Sequence, residues 1–391
     1  NGSGRLIADS SRFPSGMKAL TSWVHSHGMK LGIYSAAAPQ TCAKYQPGSE
    51  GSETIDAQTF IDWGVDYLKY DACQDNMKRL EASYKAMGDA LRGSKIQYAC
   101  SLGAKGGKPT EMIKDGCDLW RMWHDIQAKK GYNDLIRISS HWAENADTWR
   151  QWSGPSSKSQ GWFDPDQLLA GDERFGASEA IAQLGLWTIL SAPLIMGNRV
   201  SNHLTKPDPK VKAAFQNPEI IAIARDPLAV MGGRVGELSD DHEVWARKLE
   251  GGALAVLFWN KATPDACTWE VTPDQNSKDG DHQIACFKGS HFEYTRLECC
   301  ADSDCQEFSF TAPGGAPDDV GNGCLFREAP ADILREAADF ARFTLKTRDM
   351  SVLAADLSVD LSVLVDAGLW ESTQAAVRDV LQRKDLGVMK D

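Results

Sequence analysis

The sequence predicts an α/β fold with a parallel sheet, followed by a smaller antiparallel β region. Up to residue 198, strand-like and helix-like stretches alternate at intervals of about 24 to 40 residues, which is typical of βα units. After Pro227 the alternation stops and strands follow one another without helices between them. The six predicted strands of the first region end at Ser35, Asp71, Ser101, Asp125, Asp164 and Asn198.

Local signals place each element of the first region. Gly28 and Gly64 end apolar-periodic stretches and predict helix ends, and Val65, Tyr67 and Leu68 favour a strand. The predicted helices cover residues 14–28, 54–63, 77–92, 109–115, 132–152 and 177–190, and the predicted strands cover 30–35, 65–71, 96–100, 119–123, 161–166 and 192–197.

The second region has a different pattern. Strands are predicted at residues 244–247 and 253–259, a helix-like stretch at 330–342, and alternating strands near 357–361. Residues 265–330 hold six of the ten cysteines and are rich in Gly, Asp and Pro, so we interpret them as a disulfide-tied insertion. We predict a first domain at 1–228 and an antiparallel β domain at 229–391.

Composition narrows the possible partners. The 391 residues carry a formal charge of −12, which argues against nucleic acid or an anionic membrane surface as partner. The sequence contains no run of 18 apolar residues and therefore predicts no membrane-spanning helix. The even number of cysteines, without a tidy CxxC pair, favours disulfides over zinc. Thirteen tryptophans are compatible with sugar stacking but equally with an ordinary core.

Charged residues cluster where the predicted strands end. Lys69 and Asp71 are two apart on one strand and therefore point to the same side. They form either a structural ion pair or part of a catalytic site, because the carboxyl ends of parallel strands carry such groups. Further carboxylates follow later strands, at Asp125, Asp164 and Asp166. Such a set suits glycoside hydrolysis, while a metal site or plain caps and ion pairs are the alternatives.

Several motifs in consistent order give this cluster a family context. WGVDYLKYDAC is preceded by RFPSGMKAL and VHSHGMKLGIYS, and is followed by LWRMWHDI, GWFDPDQL and APLIMGN. This series resembles glycoside hydrolase family 27, the melibiases, which comprise α-galactosidases and α-N-acetylgalactosaminidases. The resemblance covers residues 2–230 and, weakly, 240–260 and 375–388. It implies a (β/α)8 TIM barrel followed by a C-terminal antiparallel β-sandwich domain.

The resemblance also implies roles for individual residues. Asp71 matches the nucleophile of a retaining hydrolase and Asp125 its general acid/base, which we expect in apolar surroundings near Trp123. Retention implies carboxyl groups about 5–5.5 Å apart. Residues matching substrate-binding positions are Tyr34, Lys69, Ser101, Ala104, Arg121 and Asp166. The implied disulfides are Cys42–Cys73 and Cys100–Cys117, and no metal or cofactor is implied. We also expect Lys69 to remain paired with Asp71.

The implied activity is exo-hydrolysis of terminal α-D-galactosyl residues of oligosaccharides or glycoconjugates. Ser101 and Ala104 are similar to the small pair of α-N-acetylgalactosaminidases, which keeps that specificity as an alternative. Ala36 and Phe163 stand where the family usually has Asp and Asn, and they favour a third alternative, an inactive sugar-binding homologue.

The resemblance leads to further expectations about the whole protein. The family's first strand and most of its second have no counterpart here, so we expect a natural protein that is longer at both ends. We expect a secreted, lysosomal or vacuolar location and consider a homodimer as the assembly.

Overall fold

The structure is a computed structural model. It describes residues 4–105, 108–121, 125–126, 161–170, 177–197, 208–239, 242–260 and 374–390, residues 364 and 369, and the backbone of five strands between 267 and 348.

A five-stranded parallel sheet forms the centre of the first region. Its strands lie side by side in chain order: β1 (Gly32–Ala36), β2 (Tyr67–Asp71), β3 (Gln97–Cys100), β4 (Leu119–Arg121) and β5 (Trp162–Asp164). The register pairs Ala36 with Asp71 and Arg121 with Asp164. The carboxyl ends of all five strands therefore meet at one edge of the sheet, where the predicted site residues lie.

Helices connect and cover these strands: α1 (Gly16–Ser26), α2 (Glu53–Trp63), α3 (Met77–Leu91), α4 (Pro109–Lys114) and α5 (Ala177–Ile189). Local chemistry fixes their ends. The Asn76 side chain accepts a hydrogen bond from the Arg79 amide at the start of α3. Gly64 adopts a left-handed conformation with φ of 77° after α2, which glycine tolerates without strain. A 3-10 helix (Leu102–Lys105) follows β3.

The core lies between the sheet and these helices. Tyr70, Tyr84 and Tyr98 are buried together, with the rings of Tyr70 and Tyr84 edge-on at 5.2 Å between centroids. Trp120 and Phe163 pack edge-on at 5.6 Å. Aromatic pairs in this geometry add to the free energy gained from apolar burial. The tyrosine cluster thus joins β2, α3 and β3, and the Trp120–Phe163 pair joins β4 to β5.

The chain then passes through α6 (Pro209–Phe215) and α7 (Pro218–Ala224) into an antiparallel sheet of β6 (Gly233–Ser239), β7 (His242–Lys248) and β8 (Leu254–Asn260). A 3-10 helix (Glu250–Gly252) joins β7 to β8. Arg247 of β7 is buried and donates from Nη1 to the carbonyl oxygens of Thr188 at 2.8 Å and Ile223 at 2.9 Å. One guanidinium therefore links this sheet to the last turns of α5 and α7.

A second antiparallel sheet has the order β10-β12-β11-β13-β9. Its strands are β9 (Cys267–Ser277), β10 (Gln283–His291), β11 (Glu307–Thr311), β12 (Val320–Phe326) and β13 (Leu334–Arg348). A hairpin of β14 (Gln374–Asp379) and β15 (Lys384–Lys390) follows. The cysteine-rich stretch predicted as an insertion thus supplies four of the five strands of this sheet.

Two predicted elements are wrong. The helix-like stretch 330–342 enters strand β13, because pairing with β9 and β11 overrides the helix preference of its Ala and Glu residues. The stretch 192–197 forms only an isolated bridge between Met196 and Leu168. Pro193 has no N–H to donate to a ladder, which disfavours a regular strand there.

Other predictions remain open. The predicted helix at 132–152 and the strands near 357–361 lie outside the described residues, and the domain boundary at 228/229 stays a prediction. Within the described part of the chain, none of the helices has the length and apolar character needed to cross a bilayer.

Candidate active site

Asp71 stands at the carboxyl end of β2 with both oxygens engaged. Its Oδ2 accepts a hydrogen bond from the Tyr34 hydroxyl at 2.6 Å, and its Oδ1 accepts from the Ala72 amide at 2.9 Å. The predicted nucleophile is therefore held in one orientation by β1 and by its own backbone.

The Cys42–Cys73 disulfide lies directly beside this carboxylate. The structure confirms the bridge, and Sγ of Cys42 lies 3.5 Å from Oδ2 of Asp71. His, Cys, Asp and Glu side chains are potential metal ligands. Among the described residues, one group of them lies close enough together to hold a metal ion, and it consists of Cys42, Asp71 and Cys73. Because the two sulfurs are bonded to each other, they are not available as thiolate ligands.

Tyr34 is influenced by the charges of both predicted catalytic carboxylates. Its side chain projects from β1 and is 41% exposed. Burial raises the pKa of the Tyr34 hydroxyl, and the hydrogen bond to Asp71 and the negative charges of Asp71 and Asp125 raise it further. Tyr34 therefore stays protonated and keeps donating to Asp71.

Asp125 is less enclosed than expected. Its side chain is 70% exposed, and its Oδ1 accepts from Arg121 Nη1 at 3.1 Å. The expectation of apolar surroundings is wrong for the described neighbours, because Asp125 lies beyond the end of β4 and meets solvent and a guanidinium. Trp123, which was expected to shield it, lies outside the described residues.

Arg121 joins Asp125 to a second, buried carboxylate. Its Nη2 lies 3.1 Å from Oδ2 of Asp166, and both side chains are only 4% exposed. Burial alone would lower the pKa of Arg121, but the charges of Asp166, Asp164 and Asp125 raise it above its ordinary value. Burial raises the pKa of Asp166, and the positive charges of Arg121 and Lys69 oppose that effect.

The expected ion pair between Lys69 and Asp71 does not form. Both residues are described, and they share one side of β2 as predicted. The Asp71 carboxylate is instead engaged by Tyr34 and Ala72, while the charge of Lys69 acts on Asp166. Lys69 is half-buried and keeps its predicted place at the edge of the site.

Ser101 lies just beyond β3 and is only 2% exposed. Its amide donates to the Tyr84 hydroxyl and the Tyr70 carbonyl oxygen, each at 3.2 Å, whereas its own hydroxyl has no hydrogen-bond partner among the described residues. Ala104 is in the 3-10 helix Leu102–Lys105. The predicted Cys100–Cys117 disulfide, which anchors this segment to the start of β4, is confirmed.

The two positions that depart from the family pattern are both in the core. Ala36 and Phe163 have no exposed surface, and Phe163 packs on Trp120. Neither change places a new group among the exposed carboxylates.

Sequence reasoning missed the buried groups that hold the site residues. It gave no role to Tyr84 of α3, whose hydroxyl donates to the Tyr70 carbonyl oxygen at 2.7 Å, next to Asp71 in sequence. It gave no role to Ile126 or Trp187, which hydrogen-bond to Asp166. The available signal was the need of a buried Tyr hydroxyl or Trp N–H for a partner.

Comparison with known proteins places this site in a family. The family model described as Alpha galactosidase A (Melibiase_2) matches residues 1–226. Alpha-galactosidase A of Homo sapiens is 40% identical over 266 residues, which are 66% of this chain and 59% of that protein. Alpha-N-acetylgalactosaminidase of Gallus gallus is 36% identical over 267 residues, 66% of this chain and 64% of that protein. The chain thus spans about three fifths of the length of these curated relatives.

The fold is shared with solved structures. Alpha-galactosidase I from Mortierella vinacea has a TM-score of 0.57 at 22% identity, with 89% of this chain and 84% of that chain covered. An alpha-galactosidase from Saccharomyces cerevisiae has a TM-score of 0.55 at 20% identity, covering 89% of this chain and 86% of that one.

The predicted fold class, an α/β barrel followed by antiparallel β structure, is confirmed by this likeness. With more than half of its length matched by the family model, the chain belongs to the Alpha galactosidase A family of melibiases, glycoside hydrolase family 27.

Proposed function

We propose that this protein is a retaining exo-glycosidase that hydrolyses terminal α-D-galactosyl residues. The observation that carries the proposal is the hydrogen bond from the Tyr34 hydroxyl to Asp71, together with the charge of Asp125, which also raises the pKa of Tyr34. Glycoside hydrolysis needs two such carboxyl groups on opposite sides of the scissile bond.

In the first step, the Asp71 carboxylate attacks the anomeric carbon while protonated Asp125 gives its proton to the departing oxygen. The products are a covalent galactosyl–Asp71 ester and the free alcohol. In the second step, Asp125 takes a proton from water, the water oxygen bonds to the anomeric carbon, and the bond to Asp71 breaks. Two inversions at this carbon leave its configuration unchanged.

The surroundings of the two carboxylates suit these roles. Hydrogen bonds from Tyr34 and Ala72 hold both oxygens of the Asp71 carboxyl group in a fixed orientation, as a nucleophile requires. The exposed side chain of Asp125 can reach both a leaving group and a water molecule. The separation of about 5–5.5 Å between the two carboxyl groups stays a prediction.

Substrate contacts are proposed for Tyr34 and Lys69, which lie on β1 and β2 near the carboxyl edge of the sheet. Arg121, whose side chain is only 4% exposed, instead binds Asp125 and Asp166. The substrate class, α-galactoside oligosaccharides or glycoconjugates, is supported by the names of the relatives. One solved relative from Saccharomyces cerevisiae, of similar fold, is an alpha-galactosidase described with raffinose. Secretion or a lysosomal or vacuolar location, and a homodimer, remain expectations.

Hydrolysis of α-N-acetylgalactosaminides is the second candidate, and one observation favours it. Ser101 and Ala104, just after β3, carry small side chains, which leave more room for a 2-acetamido group than a carboxylate and a leucine would. Purified protein should be tested on 4-nitrophenyl α-D-galactopyranoside and its 2-acetamido analogue. Faster turnover of the 2-acetamido analogue would overturn galactoside specificity. Binding of either sugar, with turnover of neither substrate, would indicate an inactive homologue.

Asp71→Asn is the direct test of the nucleophile. We expect kcat to fall by at least about 10³-fold, because the amide cannot form the covalent ester. Asp89→Asn, an exposed position on α3, is the matched control and should retain full activity. Retained turnover in Asp71→Asn would rule out this nucleophile, and β-galactose as the first product in a proton NMR time course would rule out retention.

A further inference from the structure

We propose that Asp166 is a positioning residue that holds Asp125 in place for proton transfer, and that it does not bind the sugar. This inference rests on the proposed acid/base role of Asp125. It departs from the role that family resemblance implies for Asp166, which is contact with substrate.

The Asp166 carboxylate is already occupied by protein groups. Its Oδ2 contacts Arg121 Nη2 at 3.1 Å and accepts from the Ile126 amide at 3.0 Å, and its Oδ1 accepts from the Gln167 amide at 2.9 Å. Only 4% of the side chain is exposed. Little surface is left for a sugar hydroxyl, while Arg121 contacts Asp125 and Ile126 directly follows it in the chain.

Two separate routes lead from Asp166 to Asp125. Through side chains, the Arg121 guanidinium contacts Asp166 with Nη2 and Asp125 with Nη1, the latter at 3.1 Å. Through the backbone, the Ile126 amide that bonds to Asp166 belongs to the peptide unit directly after Asp125. The exposed Asp125 carboxylate is held in place only if its backbone and its partner Arg121 are both fixed. Asp166 fixes the backbone through the Ile126 amide and fixes Arg121 through the ion pair.

Asp166 is itself held in a costly conformation. Its φ is 90°, in the left-handed region that residues with a side chain rarely adopt. Its amide donates to Asp164 Oδ1 at 2.9 Å, and its carbonyl oxygen accepts from Nε1 of buried Trp187 at 2.8 Å. Such a conformation persists where the surroundings fix it, and it is common at functional sites.

Positioning and sugar binding predict different kinetics. General acid catalysis matters most for a poor leaving group such as methanol and least for an activated phenol, which departs without a proton. Loss of a sugar contact instead weakens the reaction of both substrates equally, because the galactosyl part is common to both. The ratio of the two losses therefore identifies the role of Asp166.

The experiment compares Asp166→Asn with the wild type on methyl α-D-galactopyranoside and 2,4-dinitrophenyl α-D-galactopyranoside. We expect kcat/KM to fall about 100-fold for the methyl glycoside and less than about 10-fold for the dinitrophenyl glycoside. Azide, a nucleophile that needs no general base, should restore kcat on the dinitrophenyl substrate and yield α-galactosyl azide. Asp56→Asn changes another buried carboxyl group, on α2, and should leave the ratio of the two substrates unchanged.

Equal losses on both substrates, or no effect of azide, would overturn the inference. If Asp166→Asn does not fold, Asp166→Glu keeps the negative charge beside Arg121. We expect this variant to show a smaller loss that is still greater on the methyl glycoside, and equal losses would again contradict positioning. A wild type that hydrolyses neither substrate would refute the proposed function itself, which is a separate outcome.

Discussion

Two arginines in different parts of the molecule each bridge a pair of carboxylates. Arg121 lies between Asp125 and Asp166 at the buried edge of the parallel sheet. Arg378 of the hairpin binds Glu219 through Nε and Nη2, both at 2.8 Å, and Asp385 through Nη1 at 2.8 Å.

The two clusters differ mainly in their access to solvent. The Arg121 and Asp166 side chains are 4% exposed, whereas Arg378 is 40% exposed and Glu219 26%. Charges in water interact weakly and lose little when one partner is removed. Buried charges depend on their partners, so removing one is expensive. The same residue types therefore fix geometry in the first cluster and add a modest contact in the second.

Removing the buried cation should have the largest effect. Arg121→Met leaves Asp166 buried without a positively charged partner in contact, and we expect the free energy of unfolding to fall by about 3–5 kcal/mol. Urea denaturation at pH 7 measures this. Turnover should also be lost, because Asp125 loses its hydrogen-bond donor. A variant as stable as the wild type would contradict the distinction between the clusters.

The loss in Arg121→Met should depend on pH in a definite direction. Burial already raises the pKa of Asp166, and removing Arg121 raises it further. A carboxyl group whose pKa is higher in the folded than in the unfolded protein costs stability above its folded pKa. The cost disappears as the pH falls below the unfolded value. The difference from wild type should therefore shrink between pH 7 and pH 4.

Arg247 is a buried arginine that contacts no carboxylate among the described residues, so replacing it tests the effect of burial apart from that of ion pairing. Arg247→Met removes the donor to the Thr188 and Ile223 carbonyl oxygens and also removes a buried charge. These changes oppose each other, so we expect a loss of about 1–3 kcal/mol in unfolding free energy. In thermal unfolding and kinetic assays, the lower midpoint should come with unchanged kcat/KM. A changed preference between methyl and aryl glycosides would show that Arg247 acts on the site.

Removing the exposed carboxylate should have the smallest effect. The hydrogen bond from Arg378 lowers the pKa of Glu219 to about 2. A lowered pKa stabilises the folded state above the ordinary value near 4.5, and the contribution is lost as the pH falls through the folded value. Glu219→Gln should lower the thermal midpoint slightly at pH 7, and hardly at all at pH 2 or in 1 M salt. A difference that persists in salt would contradict an exposed, screened interaction.

Sequence reasoning predicted the elements that carry their own local signals. Gly64 and the apolar faces of the helices placed α2, α3 and the strands beside them within a few residues. Strand β13 could not be predicted, because its pairing with β9 depends on residues more than 50 positions away. Local preference for a helix was the only information available there.

In the candidate site, too, features with a local signal were predicted and features that depend on distant residues were not. The position of Asp71 at a strand end followed from its own strand, and the Cys42–Cys73 bridge followed from family resemblance. The supposed Lys69–Asp71 pair was wrong because Tyr34, on a neighbouring strand, reaches the carboxylate first. The contact between Asp166 and the Ile126 amide joins residues 40 apart, and no spacing in the sequence announces it.

The arrangement of the two observed disulfides has a consequence for biosynthesis. The bridges span 31 and 17 residues and enclose segments that do not overlap. Both cysteines of the first bridge are therefore synthesised before either cysteine of the second. Each pair can oxidise as the growing chain emerges, in the N-terminal to C-terminal order in which chains fold during synthesis. Among these four cysteines, correct pairing can thus follow from the order of translation without reshuffling of the bonds.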